Sequence, residues 1–189
     1  MRHMMDERVL YGDLTKVLIG QNEIREAVKK LAAQINKEYK GKELMCICIL
    51  RGAVMFFTDL IRELDLPLTI DFMAISSYGN STRTSGEVRL QKDLDQSVLD
   101  KDVLVVEDIV DSGLTLTYIM DVLSKRGAKS VKLATLLDKP ERRKNELKVD
   151  YVCFTIPNEF VVGYGLDYAE KYRNLPDIGV LDPKIYSEE

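Results

Sequence analysis

Three carboxylates and three hydroxyl residues follow a short apolar run in residues 103–117, Val-Leu-Val-Val-Glu-Asp-Ile-Val-Asp-Ser-Gly-Leu-Thr-Leu-Thr. In open α/β sheets, ligands sit beyond the carboxyl ends of strands, and helix N-termini bind anions through free N–H groups. A pocket for phosphate alone would not place Glu107, Asp108 and Asp111 together, because carboxylates repel phosphate. The combination makes sense for a ligand that carries both a phosphate and a polyol. The backbone N–H groups of Asp111 to Thr115, with the hydroxyls of Ser112 and Thr115, suit the phosphate. Glu107 and Asp108 suit sugar hydroxyls, or a metal. That points to phosphorylated ribose. The plainer reading is a buried strand before a capped helix, with the acids solvated at the strand end. Capping alone does not need three acids and Ser-Gly-x-Thr within nine positions.

The elements that must hold these groups follow from periodicity. Ile24, Val28, Leu31 and Ile35 recur at helical spacing behind Asn22 as N-cap, and Gly41 stops the run. Leu44 to Leu50 reads as a buried strand that breaks at Arg51-Gly52 and gives way to an apolar-faced helix over Ala53 to Leu64. Leu68 to Ser76 is a further strand, and Glu87 to Gln91 returns from a polar loop. The motif itself supplies a strand over Val103 to Val106 and a helix over Leu114 to Arg126, closed by Gly127. Strands over Val131 to Leu137 and Tyr151 to Ile156 flank a charged connection from Lys139 to Lys148. Strands alternating with helices predict an α/β fold with a doubly wound, mainly parallel sheet.

Length and composition narrow the classes. The 189 residues suit one domain with an ample core, and 46% hydrophobic with 31% charged residues is ordinary for a globular protein. A net charge of −4 and the lack of a basic stripe argue against nucleic acid as partner, and Arg142-Arg143-Lys144 reads as a solvated loop. There is no apolar run of ~18 or more residues and no apolar signal core at the start, so no membrane partner and a cytoplasmic location are expected. Cys46, Cys48 and Cys153 lie in apolar, strand-like runs and read as buried free thiols, the first two on one strand face. The only histidine is His3, which excludes Ser-His and Cys-His nucleophiles and His-based zinc. Acid–base work falls to carboxylates, Lys or Tyr.

Residues 103–117 resemble the phosphoribosyl-pyrophosphate (PRPP) signature of type I phosphoribosyltransferases, and three other segments fall in matching order. Arg51-Gly52 resembles the family's pyrophosphate loop; many purine-specific relatives carry Lys there, and the isomer of the Leu50–Arg51 peptide is left open. Ser77-Tyr78 with residues 79–86 resembles the base and body of a mobile catalytic lid. Lys139, the stretch from Phe160 to Tyr168, and Arg173 resemble the base-binding and acidic segments of hypoxanthine-guanine phosphoribosyltransferases. The resemblance covers about residues 45 to 175 and implies one domain over residues 1–189, its small hood formed from parts of the N- and C-terminal segments. It implies transfer of 5-phosphoribosyl from PRPP to N9 of hypoxanthine or guanine, with Mg²⁺, in a homodimer or homotetramer.

The resemblance also assigns roles. Glu107 and Asp108 would take the ribose hydroxyls and metal side, and Asp111, Ser112, Gly113, Leu114 and Thr115 the 5′-phosphate. Leu114 stands where several relatives have Lys. Asp111 would be the acid–base residue at purine N7. Lys139 would donate to purine O6, Phe160 would stack on the base, the Val161 carbonyl would accept a 2-amino group, and Asp167 would reach a second metal. Arg51, Gly52 and Arg173 would hold pyrophosphate. The rival within the fold is a catalytically silent, PRPP-sensing regulatory protein, which normally carries an added nucleic-acid-binding domain or a basic face. A nucleoside-dependent methyltransferase would instead need a glycine-rich turn after its first strand.

Overall fold

The apolar runs pair as parallel neighbours because each is covered on both faces and needs a helical crossover to reach the next. The computed structural model describes residues 9–77 and 88–187. In chain order the elements are β1 (Leu14–Ile19), α1 (Gln21–Glu38), β2 (Leu44–Leu50), α2 (Val54–Glu63), β3 (Leu68–Ser77), β4 (Val88–Lys92), β5 (Asp102–Val110) and α3 (Leu114–Lys125). They continue with β6 (Ser130–Asp138), β7 (Tyr151–Thr155), β8 (Val161–Val162), β9 (Ile178–Leu181) and α4 (Pro183–Tyr186).

The main sheet has the order β4-β3-β2-β5-β6-β7, all parallel except the antiparallel edge strand β4. Strand periodicity sends alternate residues to opposite faces. Cys46, Cys48, Leu104 and Val106 pack with α1 and α2, while Met45, Ile47, Val103 and Val105 pack with α3. Cys46 and Cys48 thus share a face, as their spacing predicts, and burial pushes both thiols up to about 12. Cys153, on the edge strand β7, is only partly covered. A second sheet, β1-β9-β8, is built from the two ends of the chain.

Several element boundaries differ from the sequence reading. The helix α1 starts at Gln21 behind Gly20, not behind Asn22. Its first N–H groups are met by Glu23 Oε2, which accepts from Gly20 N at 2.9 Å, and by Asp177 Oδ1, which accepts from Gln21 N at 2.7 Å. A cap borrowed from 156 residues away leaves no local signal. β5 runs on through the acids to Val110, because β6 pairs with it there: Glu107 lies opposite Thr135 and Ile109 opposite Leu137. The strands β1 and β9 were not read from the sequence; β8 lies in the stretch from Phe160 to Tyr168, which by itself reads as an irregular apolar strand with a turn. The expected lid, including Tyr78, lies outside the described residues; Ser77 closes β3, and its side chain is likewise outside them.

The β3–β4 hairpin is anchored by a buried acid. Asp71 Oδ2 accepts from Asp95 N at 2.9 Å and from Gln96 N at 3.0 Å, and Oδ1 accepts from Phe72 N at 2.7 Å. The chain leaving β4 is thereby pinned to the strand that β4 pairs with. Asp71→Ala would orphan these donors, and we expect a loss of about 2–3 kcal/mol in urea unfolding. A loss below about 0.5 kcal/mol would show that the anchor does not hold the hairpin.

Candidate active site

Strand order reverses between β2 and β5, since β2 continues through α2 to β3 on one side and β5 through α3 to β6 on the other. Such a switch point opens a crevice at the carboxyl ends of the two strands. Here the β2–β5 ladder stops at Cys48 opposite Val106, one residue short of the acids. Alternation then sends Glu107 toward the α3 side, where it lines a small pocket with Ile109, Asp111, Ser112, Gly113 and Thr115. Asp108 faces the other way, into a larger cleft of about 480 Å³.

The small pocket is the start of α3. Gly113 takes φ +79° and caps a first turn whose N–H groups have no intrahelical acceptor. The loop is held from behind by the connection after β6. Lys144 N donates to Ser112 O at 3.0 Å, and Asn145 Nδ2 donates to Gly113 O at 3.2 Å and to Thr117 Oγ1 at 2.6 Å. Leu114 is exposed and does not wall the pocket.

Across the crevice, the Leu50–Arg51 peptide is cis, and Gly52 lies directly against Asp108. A Cβ on Gly52 would fall 1.6 Å from Asp108 Oδ2, so no larger residue fits while that carboxylate stays in place. Gly165, at φ +101°, approaches Gly52 in turn, and its Cβ would meet the Gly52 carbonyl at 2.0 Å. The loop that carries Gly165 is closed by Arg173, whose Nη1 donates to Gly165 O at 2.8 Å. Arg173 Nη2 also pairs with Asp167 at 2.9 Å and Glu170 at 3.2 Å, and Arg51 reaches the same Glu170 at 2.9 Å.

The larger cleft is walled by Asp108, Asp111, Lys139, Arg142, Phe160 and Asp167, with Val161 and Tyr186 beside them. Lys139 donates to Glu159 O at 2.6 Å, and burial lowers its pKa while Asp111 pulls it back up. Phe160 is 41% exposed and stacks on Tyr186 with centroids 4.9 Å apart, Tyr168 standing edge-on at 5.8 Å. The sequence reading missed Tyr186, Asn145 and Glu170, and it took Arg142 for a solvated loop residue. Arg142 instead donates from Nε to Asp111 Oδ1 at 2.8 Å inside the cleft.

Burial raises the pKa of both Glu107 and Asp108, and the charge of Asp108 raises Glu107 further. Each carboxylate accepts from the next backbone N–H, at 3.0 Å for Asp108 N and 2.6 Å for Ile109 N. Two crowded oxygen-only groups suit hydroxyl donors or a hard cation, either of which would relieve their repulsion. Asp167 sits apart on its own loop, and among the described residues no three such groups form a closed cage.

The region from residue 19 to residue 169 matches the family model described as a phosphoribosyl transferase domain. A hypoxanthine-guanine phosphoribosyltransferase of Bacillus subtilis is 55% identical over 174 residues, covering 92% of this chain and 97% of that protein. The bifunctional protein TilS/HprT of Listeria monocytogenes is 53% identical over 187 residues, covering 99% of this chain, which spans 29% of that longer protein. A crystal structure of a hypoxanthine phosphoribosyltransferase from Staphylococcus aureus superposes with a TM-score of 0.92 at 49% identity, covering 96% of this chain and 98% of that one.

The raised acids have a stability consequence whose sign can be worked out. A folded pKa above the unfolded one favours folding fully below the ordinary value, 4.5 for glutamate, and that favour is lost as pH rises through the raised value. Glu107→Gln should therefore melt above the wild type at about pH 8, with a smaller difference at about pH 5, in calorimetry without substrate. A difference that does not change with pH would show that Glu107 is not the strained group.

Proposed function

The chain belongs to the phosphoribosyl transferase family, and from that membership we propose that it salvages purines, moving 5-phosphoribosyl from PRPP to N9 of hypoxanthine or guanine. The products are IMP or GMP and pyrophosphate. One observation carries the reading: Ile109 and Asp111 wall both the small pocket at α3 and the larger cleft of Lys139 and Phe160. A ligand anchored by phosphate in the first leads directly into the second.

The 5′-phosphate sits on residues Asp111 to Thr115, where the first turn of α3 supplies N–H donors. With Leu114 exposed, affinity there rests on backbone and hydroxyl donors. Glu107 and Asp108 accept from the ribose hydroxyls, and Arg51, Gly52 and Arg173 hold pyrophosphate. Glu107, Asp108 and Asp167 would hold Mg²⁺, which would supply neutralising charge to the pyrophosphate leaving group. Bond cleavage develops positive charge on the sugar, so catalysis is mainly positioning plus electrostatics. The lid that the resemblance implies, Ser77 and Tyr78 with residues 79–86, would keep water from capturing that cation.

On the base side, Asp111 receives or returns the imidazole proton at N7, Phe160 stacks on the ring, and the Val161 carbonyl meets a 2-amino group. Lys139 donates to O6; against adenine it would face another donor and lose the bond. The chain forms one catalytic domain, with the β1-β9-β8 sheet as its hood. It works in the cytoplasm as a homodimer or homotetramer. Among the described residues, no helix is long and apolar enough to cross a membrane.

The decisive assay follows nucleotide formation from PRPP and Mg²⁺ with hypoxanthine, guanine, xanthine and adenine in parallel. Turnover of hypoxanthine and guanine but not adenine is expected; PRPP binding without any turnover would favour the regulatory alternative. Asp111→Asn should lower kcat by about 10²–10⁴-fold while PRPP still binds. An unchanged kcat removes Asp111 from the acid–base role. Lys139→Ala should cost roughly 10²-fold in kcat/KM for the base and little in PRPP affinity. Equal losses for both substrates would make Lys139 structural.

A further inference from the structure

Lys139 and Arg142 wall the cleft, Arg51 precedes Gly52 and Arg173 bonds the Gly165 carbonyl, and each of these four cations is already engaged by an acceptor of this chain. Arg51 rests on Glu170, Arg173 on Asp167 and Glu170, Lys139 on the Glu159 carbonyl, and Arg142 on Asp111. Only the last of these pairs involves the proposed acid–base residue. We propose that Arg142 is a transfer cation: it holds Asp111 while the phosphate pocket is empty and passes to the 5′-phosphate of PRPP when the pocket fills. Asp111 is thereby released toward the base. The proposal rests on the phosphoribosyl-transfer reading above.

Three observations carry it. Arg142 engages Asp111 through Nε alone, and among the described residues no acceptor meets its two terminal nitrogens. Those nitrogens are the fork that matches phosphate bidentately. The pair is half exposed, at 51% and 42%, so water and counter-anions compete for it readily. Asp111 also stands in the wall shared by both pockets, so the pair it forms with Arg142 lies where the two pockets meet.

The backbone around Arg142 supplies a fixed pivot. It sits on the turn Pro140–Arg142, with Lys139 N bonded to Val110 O on one side and Lys144 N bonded to Ser112 O on the other. The turn is therefore tied at both ends to the strand end and the phosphate loop. Only the side chain has to move. The need for such a charge is visible in the loop, since residues 111–117 contain neither Lys nor Arg. A phosphate dianion held by N–H groups beside Asp111 would feel that carboxylate's repulsion unless a cation stands between them.

Both residues are half exposed, so their variants should fold, which melting curves will verify. The test is calorimetric titration of PRPP with Mg²⁺, without base, into wild type, Arg142→Gln, Asp111→Asn and the double variant. Arg142→Gln should bind about tenfold more weakly, the size of one charge-assisted contact, and Arg142→Lys should recover part of that loss. Asp111→Asn should bind several-fold more tightly, because its competition for Arg142 is gone, and this gain should vanish in the double variant. In steady state, Arg142→Gln should raise the KM for PRPP more than that for hypoxanthine. Wild-type affinity in Arg142→Gln, or a gain from Asp111→Asn that persists without Arg142, would overturn the transfer role. Wild type that binds no PRPP would instead defeat the underlying functional reading, and this inference with it.

Discussion

The structure turns on the place where β2 and β5 stop pairing. Up to Val106 the two strands share a ladder; beyond it β5 continues for four residues supported only by β6. Carboxylates inside a fully paired central strand would be buried among apolar neighbours with nothing to accept from. At the end of the ladder the same residues face a crevice. They remain crowded enough for their pKa values to rise, yet they stay open to a polar ligand. Burial is the main cause of both shifts, and the charge of Asp108 adds to that of Glu107.

That crevice is narrow because glycines line its far side. The Asp108 carboxylate occupies the space where a Gly52 side chain would be, and the Gly52 carbonyl occupies the space of a Gly165 side chain. Three backbone segments from distant parts of the chain thus close on one another. The loop after β8 keeps its place through unusual backbone, with Tyr164, Ala169, Glu170 and Tyr172 all at positive φ. The arginine that closes it, Arg173, also lies near enough to draw the pKa of Asp108 down.

How much of this was legible in the sequence depends on the range of the interactions involved. The strand at Leu44–Leu50 and the helix core of Ile24, Val28, Leu31 and Ile35 were readable because burial imposes a local period. The phosphate loop was readable because its chemistry is contiguous. Glu107 and Asp108 were taken for strand-end residues because acids are poor strand formers, and only the partner β6 keeps them extended. The second sheet was missed because its strands are short and β1 finds β9 from the other end of the chain, with Lys16 opposite Val180. Arg142 was missed for a similar reason: in a run of charges nothing local marks the one that finds a partner 31 residues back.

The three cysteines carry a consequence of a different kind. Burial pushes the thiols of Cys46, Cys48 and Cys153 up to about 12, well above the usual cysteine range. Only the thiolate exchanges with disulfides or attacks peroxide, and none of the three lines the cleft. An oxidant that acts through ionised thiols therefore finds no handle in the cleft.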